Sequence, residues 1–239
     1  MTCFDSIYHL DSAKFFRVYC TVHEMMADRG YKPVTAVLSE AEWNSKYLGY
    51  LAEVEWTNNI FDIIDDMILL FKKADTTALI YFHILESKLC QNDMKVIQKI
   101  LKEKEASRLI LIVNTNATPK VSSILDILGA KTQLFTENEL NFNITKHQLV
   151  PRHEVVSAAE RERVIKEYAT FPDGVHLECL PGLYTMDPVA KYYAFEVGDL
   201  IKIYRPRKDI DTLFDISYRI VTPPSSSKID SKMLKTKRH

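Results

Sequence analysis

This 239-residue chain lacks several features, and each absence excludes a class of protein. Its four cysteines are widely spaced and form no CxxC pair, so neither a zinc motif nor a disulfide framework is indicated. No apolar run approaches the ~20 residues needed to cross a bilayer. The first residues lack the basic start and apolar run of a signal peptide, so we expect a soluble protein of a reducing, intracellular compartment.

A strong excess of one charge is also missing. The formal net charge of -1 argues against a surface built as a whole to coat nucleic acid or anionic membrane. Only residues 222–239 are basic as a segment, with five Lys and Arg against one Asp. Because two prolines, three serines and scattered lysines cannot form a core, these residues predict a disordered tail. The tail is either a nuclear import signal or weak DNA contact, or merely a solubilising segment.

The first 140 residues predict an α/β domain. An apolar stripe predicts a helix from Asp11 or Ser12 to a C-cap at Gly30, and a Ser39–Glu42 capping box predicts a second helix reaching about residue 50. Residues 60–74 are ambiguous, with helix favoured over strand. Strand, helix, strand and helix follow at 79–85, 92–105, 108–114 and 119–129. This alternation predicts parallel pairing with right-handed crossovers.

A second domain begins near residue 139. Residues 143–149 predict a short strand whose pairing Pro151 interrupts, and Ser157 caps a helix with Glu160 in the capping-box position. Residues 170–184 predict a loop, and Asp187 with Pro188 opens a helix that runs to residue 195. After a turn at 197–199, strands at 200–204 and 217–221 predict a hairpin across the polar turn 207–215.

Motifs in this second domain carry a family resemblance. They read HQLVPRHEVVS, DPVAKYY and GDLIKIYRP followed by SYRIV, and the matching positions are His147, Leu149–Pro151, His153, Leu180–Pro181, Asp187–Ala190, Tyr192, Gly198, Lys202–Ile203, Arg205 and Ser217–Arg219. At these positions the chain resembles the fifth subunit of eukaryotic nuclear RNA polymerases and its archaeal counterpart, in which this domain stands alone. The N-terminal segments MMADRGY and NTNATPK are also similar to that family.

The resemblance implies a fold that is α/β plus α+β. Residues 1–140 would form a three-layer α/β jaw domain with a restriction-endonuclease-like layer order. Residues 141–221 would form a small two-layer α+β assembly domain, and 222–239 would be the disordered tail. It also implies a non-catalytic structural subunit, shared by polymerases I, II and III or specialised to one. We expect a nuclear protein, nucleolar if dedicated to polymerase I, with no cofactor, metal, membrane or small-molecule substrate.

The resemblance further implies two binding surfaces. The assembly domain would dock on the largest polymerase subunit near the sixth subunit, through His147, Val150, Pro151, His153, Asp187, Pro188, Val189, Tyr192, Lys202, Arg205, Tyr218 and Arg219. Thr118, Pro119 and Lys120 would face downstream double-stranded DNA, in weak and non-specific contact. Gly182, Glu196 and Val197 depart from the family pattern, which predicts altered partner contacts and a divergent or specialised member.

Several alternative roles remain open at this point. His147 and His153 suggest a metal site or general base, but no Cys or carboxylate lies at ligand spacing, so a structural role is favoured. The helix-cap position of Asp187 explains it without catalysis. Glu86-Ser87-Lys88 after a strand, with Asp65 and Asp66 before it, resembles the metal-binding pattern of restriction-type nucleases. A third possibility is a regulator that binds polymerase by mimicking the subunit.

Overall fold

The computed structural model describes residues 12–53, 68–83, 91–113, 131–172, 174–207 and 214–223. The chain divides into two compact units, Met1–Asn143 and Ile144–His239. Within the described residues, no helix combines the length and apolar character that a membrane span requires.

The N-terminal unit contains a mixed five-stranded sheet. Its strands, in sheet order, are β1 (Lys32–Pro33), β2 (Ile68–Lys73), β3 (Thr76–His83), β4 (Arg108–Val113) and β5 (Lys131–Thr136). The pairs β1–β2 and β2–β3 are antiparallel, whereas β3–β4 and β4–β5 are parallel. The parallel pairing predicted for the strands now called β3 and β4 is therefore confirmed.

Helices cover both faces of this sheet. They are α1 (Ser12–Asp28), α2 (Glu40–Glu53) and α3 (Gln91–Glu103). Successive side chains of a strand point to opposite faces, and Leu79 and Tyr81 of β3 pack in one core cluster with the apolar stripe of α3. On the opposite face, the ring centroid of Phe82 lies 6.0 Å from that of Phe15 on α1. The described residues thus form helix, sheet and helix layers.

Local capping signals fix the ends of these helices as the sequence predicts. Gly30 has a φ of +80°, and the N–H groups of Gly30 and Tyr31 donate to Ala27 and Met26 in a Schellman arrangement. At the start of α2, Ser39 N–H donates to Glu42 Oε2 at 2.8 Å, and Glu42 N–H donates back to Ser39 Oγ at 3.3 Å. The predicted capping box is confirmed.

The favoured helix across residues 60–74 is wrong where the structure describes it, because Ile68–Lys73 is strand β2. A turn at Ala74 (φ 46°) and Asp75 returns the chain so that Lys73 pairs with Thr76. An apolar run this short does not by itself distinguish strand from helix, and the tertiary pairing decides. Strands β1 and β5 were not predicted. Residues 84–85 and 114 of the predicted strands and the predicted helix 119–129 lie outside the described residues.

The C-terminal unit is built on a mixed four-stranded sheet. In sheet order its strands are β6 (Arg152–Val155), β10 (Leu200–Pro206), β11 (Phe214–Thr222) and β9 (Gly182–Tyr184). Strands β10 and β11 form the predicted antiparallel hairpin, and β9 joins β11 in parallel. Two helices, α4 (Ala158–Tyr168) and α5 (Pro188–Tyr193), and the short ribbon β7 (Thr170–Phe171) with β8 (Gly174–Val175) complete the unit, with 3-10 turns at Ile144–Lys146 and Leu177–Cys179.

The two helices of this unit lie on opposite faces of its sheet. Leu200 belongs to a core cluster with Val164 of α4, whereas the next residue, Ile201, belongs to a cluster with Ala190 of α5. Because consecutive strand residues point to opposite faces, the sheet is covered on both sides. This differs from the expected two-layer arrangement.

Three local predictions for this unit differ from the structure. Residues 143–149 form no strand, because their backbone bonds are local: His147 N–H donates to the Ile144 carbonyl at 3.2 Å, and Val150 N–H to the His147 carbonyl at 2.8 Å. The first strand begins only after Pro151. The predicted loop 170–184 contains β7, β8 and β9, of which β9 is held by long-range pairing. The helix predicted to residue 195 ends at Tyr193, where Ala194 takes a left-handed conformation.

Candidate partner-binding face

One face of the C-terminal sheet gathers several of the resemblance motifs. His153 pairs with Ile203, Ile201 pairs with Arg219, and Arg205 pairs with Asp215. Paired residues share a face, so His153, Arg205 and Arg219 lie on the side that α5 covers. We call this side the motif face, defined by His153, Arg205, Ser217 and Arg219, together with α5 and the turn 144–151.

His153 lies on this face in the edge strand β6, where it pairs with Ile203. Its Nδ1 is 2.7 Å from the carbonyl oxygen of Pro151, which can only accept, so Nδ1 carries a proton and Nε2 is the acceptor nitrogen of the neutral ring. Burial lowers the pKa of His153, the Pro151 bond and Asp187 oppose that change, and Arg205 and Arg219 add to it. The lowered pKa of His153 favours the neutral ring at pH 7.

Four of the predicted partner-binding residues belong to helix α5 or to its N-cap. Asp187 Oδ1 accepts the N–H groups of Val189 at 2.9 Å and Ala190 at 3.4 Å, and Pro188 occupies the first turn. Val189 is 7% exposed and Tyr192 only 2% exposed. These side chains therefore build the helix and its core, and Asp187 has a complete structural role as a cap.

The turn 144–151 contacts α5 and presents apolar side chains to solvent. His147 accepts the Leu149 N–H at its Nδ1, at 3.2 Å, which orders the turn. Leu149 is 80% exposed, and Met186, directly before the cap of α5, is 65% exposed. Neither was in the predicted binding set. Leu149 was detectable as part of the HQLVPRH motif, whereas no sequence signal singled out Met186.

Lys202 and Tyr218 lie on the opposite face of the sheet, with α4. Lys202 Nζ is 2.9 Å from Glu160 Oε1, and the Tyr218 hydroxyl donates to the same oxygen at 2.7 Å. These two bonds lower the pKa of Glu160, and the bond to Glu160 raises the pKa of Lys202. The structure gives both predicted binding residues an internal role, which is to fasten α4 to the sheet.

The positions that depart from the family pattern lie at strand and turn sites. Arg219 Nη1 donates to the Gly182 carbonyl oxygen at 3.1 Å, and a Cβ at Gly182 would meet Thr222 Oγ1 at 3.3 Å. Glu196 N–H donates to Asp199 Oδ2 at 2.7 Å in the turn before β10. Gly182 is thus part of the motif face through its backbone, beside β11.

Several predicted site residues lie outside the described residues. These are Thr118, Pro119 and Lys120 of the DNA-proximal set, and Asp65, Asp66 and Glu86–Lys88 of the nuclease-like pattern. Within the described parts of the chain, no three His, Cys, Asp or Glu side chains are grouped so that they could hold a metal ion.

Comparison with known proteins defines first a class and then a family. A family model described as "RNA polymerase Rpb5, C-terminal domain" matches residues 142–221, the span that holds the motif face. The chain is therefore similar to a subunit of DNA-directed RNA polymerase, a protein of transcription and of a multisubunit complex.

Relatives of full length extend the similarity over both units. "DNA-directed RNA polymerases I, II, and III subunit rpabc1" of Dictyostelium discoideum is 30% identical over 195 residues, covering 79% of this chain and 93% of the relative. The corresponding protein of Caenorhabditis elegans is 28% identical over 218 residues, or 89% and 97%. "DNA-directed RNA polymerases IV and V subunit 5B" of Arabidopsis thaliana is 29% identical over 132 residues, or 55% and 57%. The chain belongs to the Rpb5 family of RNA polymerase subunits.

Proposed function

We propose that this protein is a non-catalytic structural subunit of nuclear DNA-directed RNA polymerase, which docks on the largest subunit through the motif face. The observation that carries the proposal is the convergence of His153, Arg205 and Arg219, from separate sequence motifs, on one face of the sheet. Because packing alone would not require a histidine and two arginines at these positions, an interaction with another protein is the simplest reason for their grouping.

The composition of the motif face supports a protein partner. Stable interfaces combine apolar anchors with a polar rim, and Leu149 and Met186 provide large, exposed apolar side chains. Arg205 is exposed as well, and in the described part of the chain its guanidinium makes no hydrogen bond or ion pair. The buried residues of α5 contribute indirectly, because they hold the turn and the strands in place.

The remaining assignments follow the family. The docking domain would be 141–221, close to the second compact unit, with the sixth subunit as its neighbour. The domain 1–140 would line the path of downstream DNA, with Thr118, Pro119 and Lys120 nearest the duplex and residues 222–239 as a tail. The protein would act in the nucleus, or in the nucleolus if it serves polymerase I alone.

Capture of the largest subunit by the tagged full-length protein tests the proposal. We expect the double variant Leu149→Ala/Arg205→Ala to recover at least about tenfold less of the largest subunit, as is typical when interface anchors are truncated. The matched control is Tyr168→Ala/Arg163→Ala, which removes an exposed aromatic and an exposed arginine from α4. Equal recovery with both variants would remove the motif face from the docking surface.

Stoichiometry separates a subunit from a regulator that mimics one. Mass spectrometry of polymerases I, II and III, purified separately, should find one copy of this protein per enzyme in at least one of them. A substoichiometric amount in all three would favour the regulator, and the distribution among the enzymes would identify a specialised member.

A further inference from the structure

The charged residues of the N-terminal sheet are unevenly placed. Its five strands contain no aspartate or glutamate, and their lysines and arginines are Lys32, Lys72, Lys73, Arg108 and Lys131. The register places all five at the end of the sheet where β3, β4 and β5 begin: Lys73 pairs with Thr76, Lys72 with Thr77, and Arg108 with Ala78. We call these five residues the basic rim.

The rim includes two like-charged pairs directly across neighbouring strands. Lys32 is the partner of Lys72, and Arg108 is the partner of Lys131. Like charges at such positions, about 4.5–5.5 Å apart at Cβ, destabilise a sheet. Lys32, Lys72 and Arg108 make no ion pair or hydrogen bond through their side chains with other described residues. For these three residues, no ion pair within the described chain offsets the repulsion between the like charges.

The rim also contrasts with the charge of its own unit. Residues 1–143 contain 15 Lys and Arg against 19 Asp and Glu, so the unit as a whole is acidic. Grouping of five cations on an acidic unit implies an anionic partner, because a solubilising role would be met by charges of either sign anywhere on the surface.

The dimensions and composition of the rim favour a nucleic acid. Five strands about 4.8 Å apart make this end of the sheet about 19 Å long, with Lys32 and Lys72 on one face and Lys73, Arg108 and Lys131 on the other. Cations along both sides of such an edge suit a linear polyanion with a charge every few ångströms. The neighbouring rim positions Thr76, Thr77 and Ser107 carry hydroxyl groups, which commonly contact phosphate and sugar oxygens. The paired rim positions offer no large apolar anchor of the kind that protein interfaces use.

We propose that the basic rim binds the phosphodiester backbone of a nucleic acid. The rim lies where β4 begins, whereas the chain continues toward Thr118, Pro119 and Lys120 from the carboxyl end of this six-residue strand, which is about 20 Å long. The rim would read charge and shape without selecting sequence, because backbone contacts carry no base information.

Salt-dependent binding of the full-length protein to a fluorescent DNA duplex of about 25 base pairs, followed by anisotropy, tests this site. The rim variant is Lys32→Gln/Lys72→Gln/Arg108→Gln. The control variant, Lys95→Gln/Lys99→Gln/Lys166→Gln, removes the same charge from exposed positions on α3 and on α4. Both retain the basic segment 222–239, so its contribution cancels.

We expect the rim variant to bind at least about tenfold more weakly, and the slope of log K against log salt to fall by about 2.7, or 0.9 for each lost contact. The control should stay within about twofold of the wild type. Should the triple variant melt at a lower temperature, Lys32→Gln/Lys72→Gln alone, at two exposed positions, should lower the slope by about 1.8.

Equal weakening of the rim and control variants, or none in a folded rim variant, would overturn the proposal. If polyglutamate at equal charge concentration displaces the duplex from the wild type, and this competition is lost in the rim variant, the rim is instead a site for an acidic polypeptide. Capture of the largest subunit should be unchanged in the rim variant, so failure of the rim proposal can be distinguished from failure of the docking proposal. The variant Lys120→Gln separately tests the DNA contact expected from the family resemblance.

Discussion

The two faces of the C-terminal sheet use similar residues for different purposes. On the α4 face, Lys202 and Tyr218 donate to one carboxylate, that of Glu160, and their polar groups are consumed inside the unit. On the motif face, Arg205 is exposed, and the Nδ1 of His153 contacts only the neighbouring Pro151 carbonyl. Residues from a single motif, LIKIYR, are thus divided between holding the fold and facing the side that we propose binds a partner. Membership of a motif does not separate these roles, but strand alternation does.

Truncation of a core side chain on either face should lower the free energy of unfolding by a similar amount. This is the largest effect on stability that we expect. Leu200→Ala and Ile201→Ala remove neighbouring residues, 1% and 0% exposed, from opposite faces. Each should lower the free energy of unfolding by about 2–4 kcal/mol, since both leave a cavity in a packed core. Urea unfolding measures this. A cost below about 1 kcal/mol for one of them would mean that its helix is only loosely packed on the sheet.

The helix caps on the two faces come next in size. Ser157→Ala and Asp187→Ala each remove a side chain that accepts from the first turn of α4 and α5, respectively. Each should cost about 1 kcal/mol, seen as a lower midpoint of urea unfolding. Only Asp187→Ala should also weaken capture of the largest subunit, because α5 supports the motif face. Weaker capture with Ser157→Ala would show that the two faces are coupled.

The Glu160 network should give a smaller, pH-dependent effect. Glu160→Gln should cost no more than about 1 kcal/mol at pH 7, because the group is partly exposed and screened. The hydrogen bonds from Lys202 and Tyr218 lower the pKa of Glu160 in the folded state. Its stabilisation is therefore present above the unfolded pKa of 4.5 and is lost as the pH falls through the lower folded value. Thermal melts from pH 7 to pH 3 should show a shallower acid loss in the variant.

The smallest effect on stability should be that of Arg205→Ala, which we expect to lie within about 0.5 kcal/mol of the wild type by urea unfolding. An exposed guanidinium without a described partner contributes little to folding. The same variant should reduce capture of the largest subunit, in contrast to Glu160→Gln, which should lower stability without affecting capture. A clear loss of stability in Arg205→Ala would show that Arg205, like Lys202, has an internal role in holding the fold together.

The sequence predicts those parts of the structure that are decided locally. The Ser39–Glu42 box, the Gly30 C-cap and the Asp187–Pro188 start depend on residues within one or two turns, and all three are present. What could not be predicted depends on distant pairing. Strand β9 is three residues long and exists because it lies beside β11, and β2 is a strand because β3 follows it.

The candidate site shows the same division. The motifs identified the candidate residues, but placing them on one face or the other required the register of β10 between β6 and β11. The exposure of Leu149 and Met186 is also a property of the folded chain, since an apolar residue in a sequence is ordinarily expected to be buried.

The position of β11 in its sheet has a consequence for protein synthesis. This strand lies between β10 and β9, although it is the last described strand in the chain. Neither described helix of the C-terminal unit can close its core until residues near Val221 have left the ribosome, whereas every described strand of the N-terminal unit is complete by Thr136. The nascent chain should therefore acquire its first unit well before it becomes able to join an assembly.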